Sequence, residues 1–227
     1  MKEFRGHPLV AYAIDAALRS EIFVDVIVST DSAAYREIAL AYGASVPFLR
    51  PEEISKDASP DIGWVRHALL ALRARGDLPD AFAILRPTNP FRSPETIRRA
   101  WRQFVEDGKA NSLRAIEKCS QHPAKMWHVK GSRMTPVMEN PEKQATPWHS
   151  SQYVSLPPVY AQNASLEIAW TSVPLDRGTI AGDEIMPFLS EGYEGFDLNE
   201  PTDWMIAEQL AESGTATVPD LQRRLVR

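Results

Sequence analysis

The chain has 227 residues, of which 44% are hydrophobic and 24% charged, and its formal net charge is −5 at pH 7. This length fits one large domain or one domain with an inserted arm. The acidic balance argues against a nucleic-acid surface, and no stretch approaches the roughly 20 apolar residues that cross a bilayer. Because the N-terminus lacks the apolar core of a secretory signal and Cys119 is the single cysteine, we expect a cytoplasmic protein with no nucleic-acid or membrane partner.

Helical and strand patterns alternate through the first half of the sequence. They predict helices at 8–19, 33–42, 62–75 and 94–107, and strands at 23–29, 45–49 and 81–86. Strands that alternate with helices are typically parallel and joined by right-handed crossovers. The predicted fold class is therefore α/β with a parallel sheet.

The helix at 94–107 has the clearest boundaries. Ser93 is expected to cap its start, and Gly108 is expected to end it. Its predicted buried stripe consists of Ile97, Trp101, Phe104 and Val105.

Prolines, aromatic residues and polar turns change the rhythm between residues 121 and 160. We predict hairpins and loop there. By analogy with dimeric enzymes, this stretch would be a dimerisation arm inserted into a single domain that spans 1–227. The remaining patterns predict strands at 112–119, 166–173 and 185–189, and a helix at 201–212 that Asn199 or Thr202 would cap.

Ligands of open α/β sheets gather at the carboxyl ends of the strands, so the residues that follow each strand are site candidates. Asp31 follows the first predicted strand and is either a ligand-binding acid or a helix cap. The stretch RPEEISKDASPDI would line a pocket with phosphate donors and polar base-reading groups, or would be a solvated loop. Its candidates are Arg50, Asp57, Ser59 and Asp61.

The stretch ILRPTNPFR places Arg86 at the end of a strand. Two prolines then stiffen a loop that carries Thr88 and Asn89. The loop either holds a ligand or is a plain rigid turn.

The stretch FDLNEPTDW places Asp197 and Asn199 on one face of an extended segment. Two adjacent oxygen ligands suit Mg²⁺, which prefers one or two carboxylates together with water and substrate phosphates. Alternatively, Asn199 caps the helix that follows.

Seven segments in this order resemble the acylneuraminate cytidylyltransferase family, whose members make CMP-sialic acid and related CMP-sugars: GHPLVAYAI, VSTD, FLRPEEISKD, LRPTNPFR, HPAKMW, VYAQNASLEI and FDLNEPTDW. The resemblance implies a homodimer with a nucleotide-diphospho-sugar transferase fold, a Rossmann-like three-layer α/β sheet. It also implies a nucleotidyltransferase that converts CTP and a nonulosonic acid into the CMP-sugar and pyrophosphate with the help of Mg²⁺. The product would serve a surface glycan such as lipopolysaccharide. The alternative is a non-catalytic nucleotide or sugar-nucleotide binding protein, or a degenerate truncated homologue.

The resemblance also assigns roles to residues of this chain. Asp197 and Arg86 are the catalytic candidates, and Asp197 with Asn199 the metal candidates. The nucleotide would contact Asp31, Arg50, Asp57, Ser59 and Asp61. The sugar would contact Arg86, Thr88, Asn89, Lys125, Gln162 and Asn163.

The chain departs from the family pattern in three places. Asn199 stands where a second acid is usual, which should weaken the binding of Mg²⁺. Tyr153 and Val154 stand where many members carry an Arg and a Gln, so the resemblance implies that the usual anchor of the sugar carboxylate is absent. The hypothesis is that Arg86 or Lys125 takes its place. The family's first strand and its glycine-rich basic loop precede a segment like KEFRGHPLVAYAI. The resemblance therefore predicts either a natural start upstream of Met1 or a poor catalyst with apolar surface left beside the neighbouring strands.

If Arg86 anchors the sugar carboxylate, Arg86→Gln should raise the KM for the sugar far more than the KM for CTP, because only the sugar loses a charged partner. Steady-state kinetics with each substrate varied in turn measure both constants. Equal effects on the two would exclude this role.

Overall fold

The computed structural model describes residues 2–140 and 146–223. The chain divides into two compact units. The first comprises Met1–Ala115 and Asn163–Arg227, and the second is Ile116–Gln162. None of the helices in the described parts of the chain is both long and apolar enough to cross a membrane.

Six α-helices and eight strands are present in the described residues. The helices are α1 Leu9–Ser20, α2 Ala33–Ala41, α3 Asp61–Arg75, α4 Pro94–Asp107, α5 Ser172–Asp176 and α6 Pro201–Glu212. The strands are β1 Glu3–Phe4, β2 His7–Pro8, β3 Ala81–Ile84, β4 Ser112–Lys118, β5 Trp127–Lys130, β6 Arg133–Pro136, β7 Tyr160–Trp170 and β8 Ile185–Leu189. The predicted bounds of α4, β8 and α6 are confirmed to the residue.

The main sheet has four strands in the order β3-β7-β4-β8. Strand β7 runs antiparallel to β3, with Ala81 opposite Trp170 and Ile84 opposite Glu167. The predicted parallel arrangement is therefore wrong for β3 and β7, whereas the predicted α/β class is confirmed. The alternation of helices and strands covers only the first half of the chain. Strand β7 lies 76 to 89 residues after β3 in the sequence, so the alternation does not determine its direction.

The strands predicted at 23–29 and 45–49 reduce to a single parallel bridge between Ile27 and Ser45. The backbone N–H of Val28 donates to Ser45 O at 3.0 Å, and Ser45 N–H donates to Val26 O at 2.8 Å. The segment is thus extended but pairs over only a few residues. Side chains of the first of these segments, of α3 and of β3 line an apolar cleft of about 310 Å³.

Helix α4 confirms its predicted ends. Ser93 Oγ accepts the backbone N–H of Thr96 at 3.1 Å, and Gly108 ends the helix with a φ of 67°. The predicted burial of Val105 is wrong, because its side chain is 39% exposed. Val105 lies one residue beyond Phe104, at the edge of the buried face of the helix.

The capping roles considered for Asp31 and for Asn199 or Thr202 are wrong. Ser32, not Asp31, caps α2, and its hydroxyl accepts the N–H of Tyr35 at 3.3 Å. Glu200, not Asn199 or Thr202, is the cap residue of α6. Asp203 in the first turn accepts the N–H of Glu200 at 2.7 Å, so a carboxylate inside the helix satisfies this backbone donor.

A cluster of aromatic rings forms the core between α4 and the main sheet. Phe104 is 1% exposed, and its ring lies 4.9 Å from that of Trp170 and 6.2 Å from that of Trp101. Leu113 and Phe188, both fully buried, complete the contact with β4 and β8. This cluster fixes α4 on one face of the sheet.

The second unit contains the hairpin of β5 and β6, in which Trp127 pairs with Pro136 and Lys130 with Arg133. Between residues 121 and 160 the described part of the chain forms this hairpin and three short 3-10 turns, and residues 141–145 lie outside the described residues. That this stretch is a dimerisation arm stays a prediction. Lys125 Nζ donates to the carbonyl oxygens of His149 at 3.1 Å and Ser151 at 2.6 Å.

Phe104→Ala should lower the free energy of unfolding by about 3–5 kcal/mol, because it removes a buried ring and leaves a cavity against Trp170. Val105→Ala, one residue further along the same helix, should cost about 1 kcal/mol or less because that side chain is partly exposed. Urea unfolding of the two variants measures both values. Equal losses would contradict this account of the core.

Candidate active site

A cleft of about 440 Å³ lies beside the carboxyl end of β3. Helix α1 gives it an apolar wall made of Val10, Ala13, Ile14 and Ala17. Its polar lining residues include Arg50, Lys56, Ser59, Asp61 and Arg86. The cleft therefore brings together four of the predicted site residues from two separate stretches of sequence.

Arg86 is the best-connected side chain of this cleft. Its Nη2 donates to Asp61 Oδ2 at 2.5 Å and to Glu167 Oε1 at 3.0 Å, and its Nη1 donates to Asp61 Oδ1 at 3.4 Å. Glu167 also forms an ion pair with Arg114 of β4. Two arginines and two carboxylates thus form one charge cluster.

Protonation equilibria in this cluster reflect burial and pairing. Burial works to raise the pKa of Asp61, but hydrogen bonds from Arg86 and Trp64 outweigh it, so the pKa lies below its usual range. Burial, together with the neighbouring charge of Arg86, lowers the pKa of Arg114. Asp61 therefore stays ionised at neutral pH.

Arg50 lies over an aromatic ring at the same cleft. Its guanidinium carbon is 5.2 Å from the centre of the Trp64 ring, and its Nη2 donates to Ser29 O at 2.6 Å. Burial lowers the pKa of Arg50, whereas the charges of Asp31 and Asp61 act to raise it. A stacked, oriented guanidinium of this kind suits a planar or anionic ligand.

The loop after β3 is held by buried polar side chains. Asn89 is 1% exposed, donates its amide N–H to Glu194 O and accepts the N–H of Phe91 at 3.0 Å. Arg92 is 3% exposed and donates to Ser165 O and, at 3.1 Å, to Arg86 O. Burial lowers the pKa of Arg92 to about 9. These contacts favour a loop-stabilising role for Asn89 and Arg92.

The segment with Asp197 lies against the same loop, because Leu198 N–H donates to Thr88 O at 3.0 Å. Asn199 Nδ2 donates to Asp197 Oδ2 at 2.8 Å. The other oxygen, Asp197 Oδ1, is buried and has no hydrogen-bond partner within the part of the chain that the structure describes. A buried carboxylate oxygen of this kind fits a bound cation, and Asn199 holds the carboxylate in place.

Other predicted residues lie outside the cleft lining. Asp31 and Asp57 are exposed. Lys125 and Gln162 belong to the second unit. Asn163 accepts the N–H of Ser165 at 3.1 Å. Within residues 2–140 and 146–223, no group of three or more His, Cys, Asp or Glu side chains is arranged to hold a metal ion.

Sequence reasoning missed three residues of this site: Trp64, Arg114 and Glu167. A signal for the last two was available, since each is a charged residue inside an apolar strand. Such residues are retained in a core only when they are paired. Adjacent strands β4 and β7 supply that pair.

Solved structures of nucleotidyltransferases share this fold. CMP:2-keto-3-deoxy-manno-octonic acid synthetase complexed with CTP superposes with a TM-score of 0.66 at 11% identity, over 94% of this chain and 91% of that one. The 4-diphosphocytidyl-2C-methyl-D-erythritol synthase of Anaerococcus prevotii gives 0.62 at 10% identity, over 92% and 91%. The chain therefore has an α/β nucleotidyltransferase fold.

Sequence comparison identifies the family within this fold class. The family model described as cytidylyltransferase matches residues 1–128. The chain is 33% identical over 208 residues to the CMP-N,N'-diacetyllegionaminic acid synthase of Legionella pneumophila, covering 91% of this chain and 86% of that protein. It is 45% identical over 93 residues to the N-acylneuraminate cytidylyltransferase of Escherichia coli, covering 41% and 21%. This chain belongs to the cytidylyltransferase family.

The lowered pKa of Asp61 makes stability depend on pH. The ionised carboxylate stabilises the fold above its unfolded-state pKa of about 3.9, and the contribution is lost as pH falls through the lower folded-state value. Asp61→Asn should therefore lower the free energy of unfolding most above about pH 5 and progressively less toward pH 3.

Urea unfolding at several pH values measures this difference, with the exposed Asp57→Asn as the matched control. A loss from Asp61→Asn that stays constant over the whole range would contradict the pairing of Asp61 with Arg86.

Proposed function

We propose that this chain transfers CMP from CTP to a nonulosonic, sialic-acid-like sugar and releases pyrophosphate. The observation that carries the proposal is the cleft that places the stacked Arg50 beside the paired Arg86, in a chain 33% identical to a CMP-legionaminic acid synthase over 91% of its length. One cationic group can then face the nucleotide while the other faces an acidic sugar.

The nucleotide side of the proposed site is built on Trp64 and Arg50. The guanidinium is oriented by the ring and by Ser29, so it can meet a phosphate or a base edge without ordering a free side chain. Ser59 and Asp61 add hydrogen-bonding groups at the same cleft. Asp31 and Asp57 remain proposed contacts on the strength of the resemblance.

The sugar side is built on Arg86 and the loop that follows it. Arg86 is one-third exposed to the cleft, and its backbone oxygen is held by Arg92. Thr88 lies in the same loop. Lys125, Gln162 and Asn163 remain proposed sugar contacts that rest on the resemblance alone.

Asp197 is the residue that would hold Mg²⁺, through its buried Oδ1. Bound there, the ion would supply charge neutralisation on the triphosphate, with substrate phosphates and water as its other ligands. Asn199 supports this role by fixing the orientation of the carboxylate.

The proposed reaction needs positioning and charge stabilisation. The anomeric hydroxyl of the sugar attacks the α-phosphorus of CTP, the new oxygen–phosphorus bond forms as the bond to pyrophosphate breaks, and the hydroxyl proton leaves to solvent. Negative charge grows on the phosphoryl oxygens, and the oriented guanidinium of Arg50 stabilises it, while Arg86 holds the sugar that carries the attacking hydroxyl. A homodimer, a cytoplasmic location and service to surface glycan synthesis belong to the same proposal.

The test measures pyrophosphate released from CTP in the presence of Mg²⁺. The release should depend on added N,N'-diacetyllegionaminic, pseudaminic or N-acetylneuraminic acid. We expect CMP-sugar and pyrophosphate in equal amounts with at least one of them. Asp197→Asn should lower kcat by about 100-fold, because it removes the charge proposed to hold the metal. The exposed Asp220→Asn is the matched control and should leave kcat unchanged.

A second candidate is a non-catalytic sugar-nucleotide binding protein, which Asn199 favours because it replaces a negative charge beside Asp197 with a neutral amide. Binding of CTP by calorimetry without any pyrophosphate release would select that candidate. A folded protein that binds no CTP would overturn both.

A further inference from the structure

The two carboxylates on Arg86 differ in burial. The side chain of Glu167 is 8% exposed, whereas that of Asp61 is 32% exposed. Both accept from Nη2 of the same guanidinium, at 3.0 Å and 2.5 Å. One partner is therefore enclosed in the sheet and the other faces the cleft.

Moving the Glu167 carboxylate away from Arg86 would also disturb its contact with a second cation. Its Oε2 is in ion-pair contact with Arg114, whose side chain is only 12% exposed. Removing one partner of a buried ion pair is strongly destabilising, because the remaining charge is neither solvated nor compensated. Glu167 is a fixed counter-ion of both arginines.

Asp61 is differently placed. It is the first residue of α3 and lines the cleft, where a turn away from Arg86 would bring its carboxylate into solvent. Its contact with Trp64 Nε1 at 2.9 Å would be lost with the turn. Arg86 would still be paired with Glu167, so no uncompensated buried charge would result.

We propose that Asp61 and Glu167 have different roles at Arg86. Glu167 is a permanent positioning residue. Asp61 is a displaceable partner, and an anionic group of the substrate takes its place. The inference rests on the proposed function and deepens it. The displaced group is a carboxylate that meets the guanidinium through two N–H donors, so the carboxylate of the sugar is the best-matched replacement. A phosphate of the nucleotide is the other source of such an anion.

The test compares Glu167→Gln with Asp61→Asn in steady-state kinetics, with the KM measured separately for the sugar acid and for CTP. Glu167→Gln should raise the KM for the sugar about tenfold, because Arg86 loses its fixed orientation. Asp61→Asn should lower that KM about threefold, because the competing carboxylate is gone. Opposite shifts in the KM for CTP instead would support the exchange and identify the phosphate as the anion.

The opposite signs separate the proposal from simpler explanations. Each substitution removes one negative charge, so an effect of net charge alone would lower the KM in both variants. A purely structural role would raise the KM in both. Either result would overturn the proposal.

Two controls complete the experiment. Exposed Glu106→Gln on α4 should leave both constants unchanged. In an Arg86→Gln background, neither Glu167→Gln nor Asp61→Asn should alter the KM for the sugar further, because both act through Arg86. Additive effects in that background would contradict the proposal.

Failure of the proposed function is distinguishable. A wild-type chain that releases no pyrophosphate with any of the three sugars would overturn that function only. Urea midpoints of Glu167→Gln, Arg86→Gln and the double variant test the pairing without turnover. A double variant with a smaller shift than the sum of the two single shifts supports the fixed pair, and strict additivity overturns it.

Discussion

A carboxylate buried between two guanidinium groups is the interaction on which this site depends. Glu167, on the central strand β7, contacts Arg86 and Arg114 at once. Taking a carboxylate out of water costs several kcal/mol unless opposite charges and hydrogen bonds compensate it. The strand register, the position of Arg86 and the polarity of the cleft wall are therefore linked, because a shift of β7 by one residue would turn Glu167 to the other face of the sheet.

The same requirement explains why the loop after β3 is so firmly held. Arg92 is buried, and its two Nη atoms donate to the carbonyl oxygens of Ser165 and Arg86. These hydrogen bonds attach the loop to β7 near the charge cluster. Asn89 fastens it again at Glu194. Leu198 joins the Asp197 segment to Thr88. The backbone around Arg86 is thus fixed by buried side chains, while the guanidinium itself is held by Asp61 and Glu167 at the cleft.

A chain with a net charge of −5 can still receive an anionic substrate because the charges are unevenly placed. Arg50 and Arg86 line one cleft of about 440 Å³, which apolar side chains of α1 also line. Apolar surroundings strengthen the electrostatic interactions that these guanidinium groups make. This arrangement suits a family that brings a nucleoside triphosphate together with a second substrate.

Local signals in the sequence determined α4, β8 and α6, since caps, prolines, a terminal glycine and apolar periodicity act within a few residues of where they stand. They also marked Arg50, Asp61 and Arg86 as candidates. The sequence alone did not decide the strands at 23–29 and 45–49, the antiparallel entry of β7, or the capping by Ser32 and Glu200. It did not reveal Glu167 as the partner of Arg86 either. Those features depend on pairing between residues far apart in the chain, 81 positions in the last case. Only the tertiary structure decides which distant backbone or charge will satisfy a buried group.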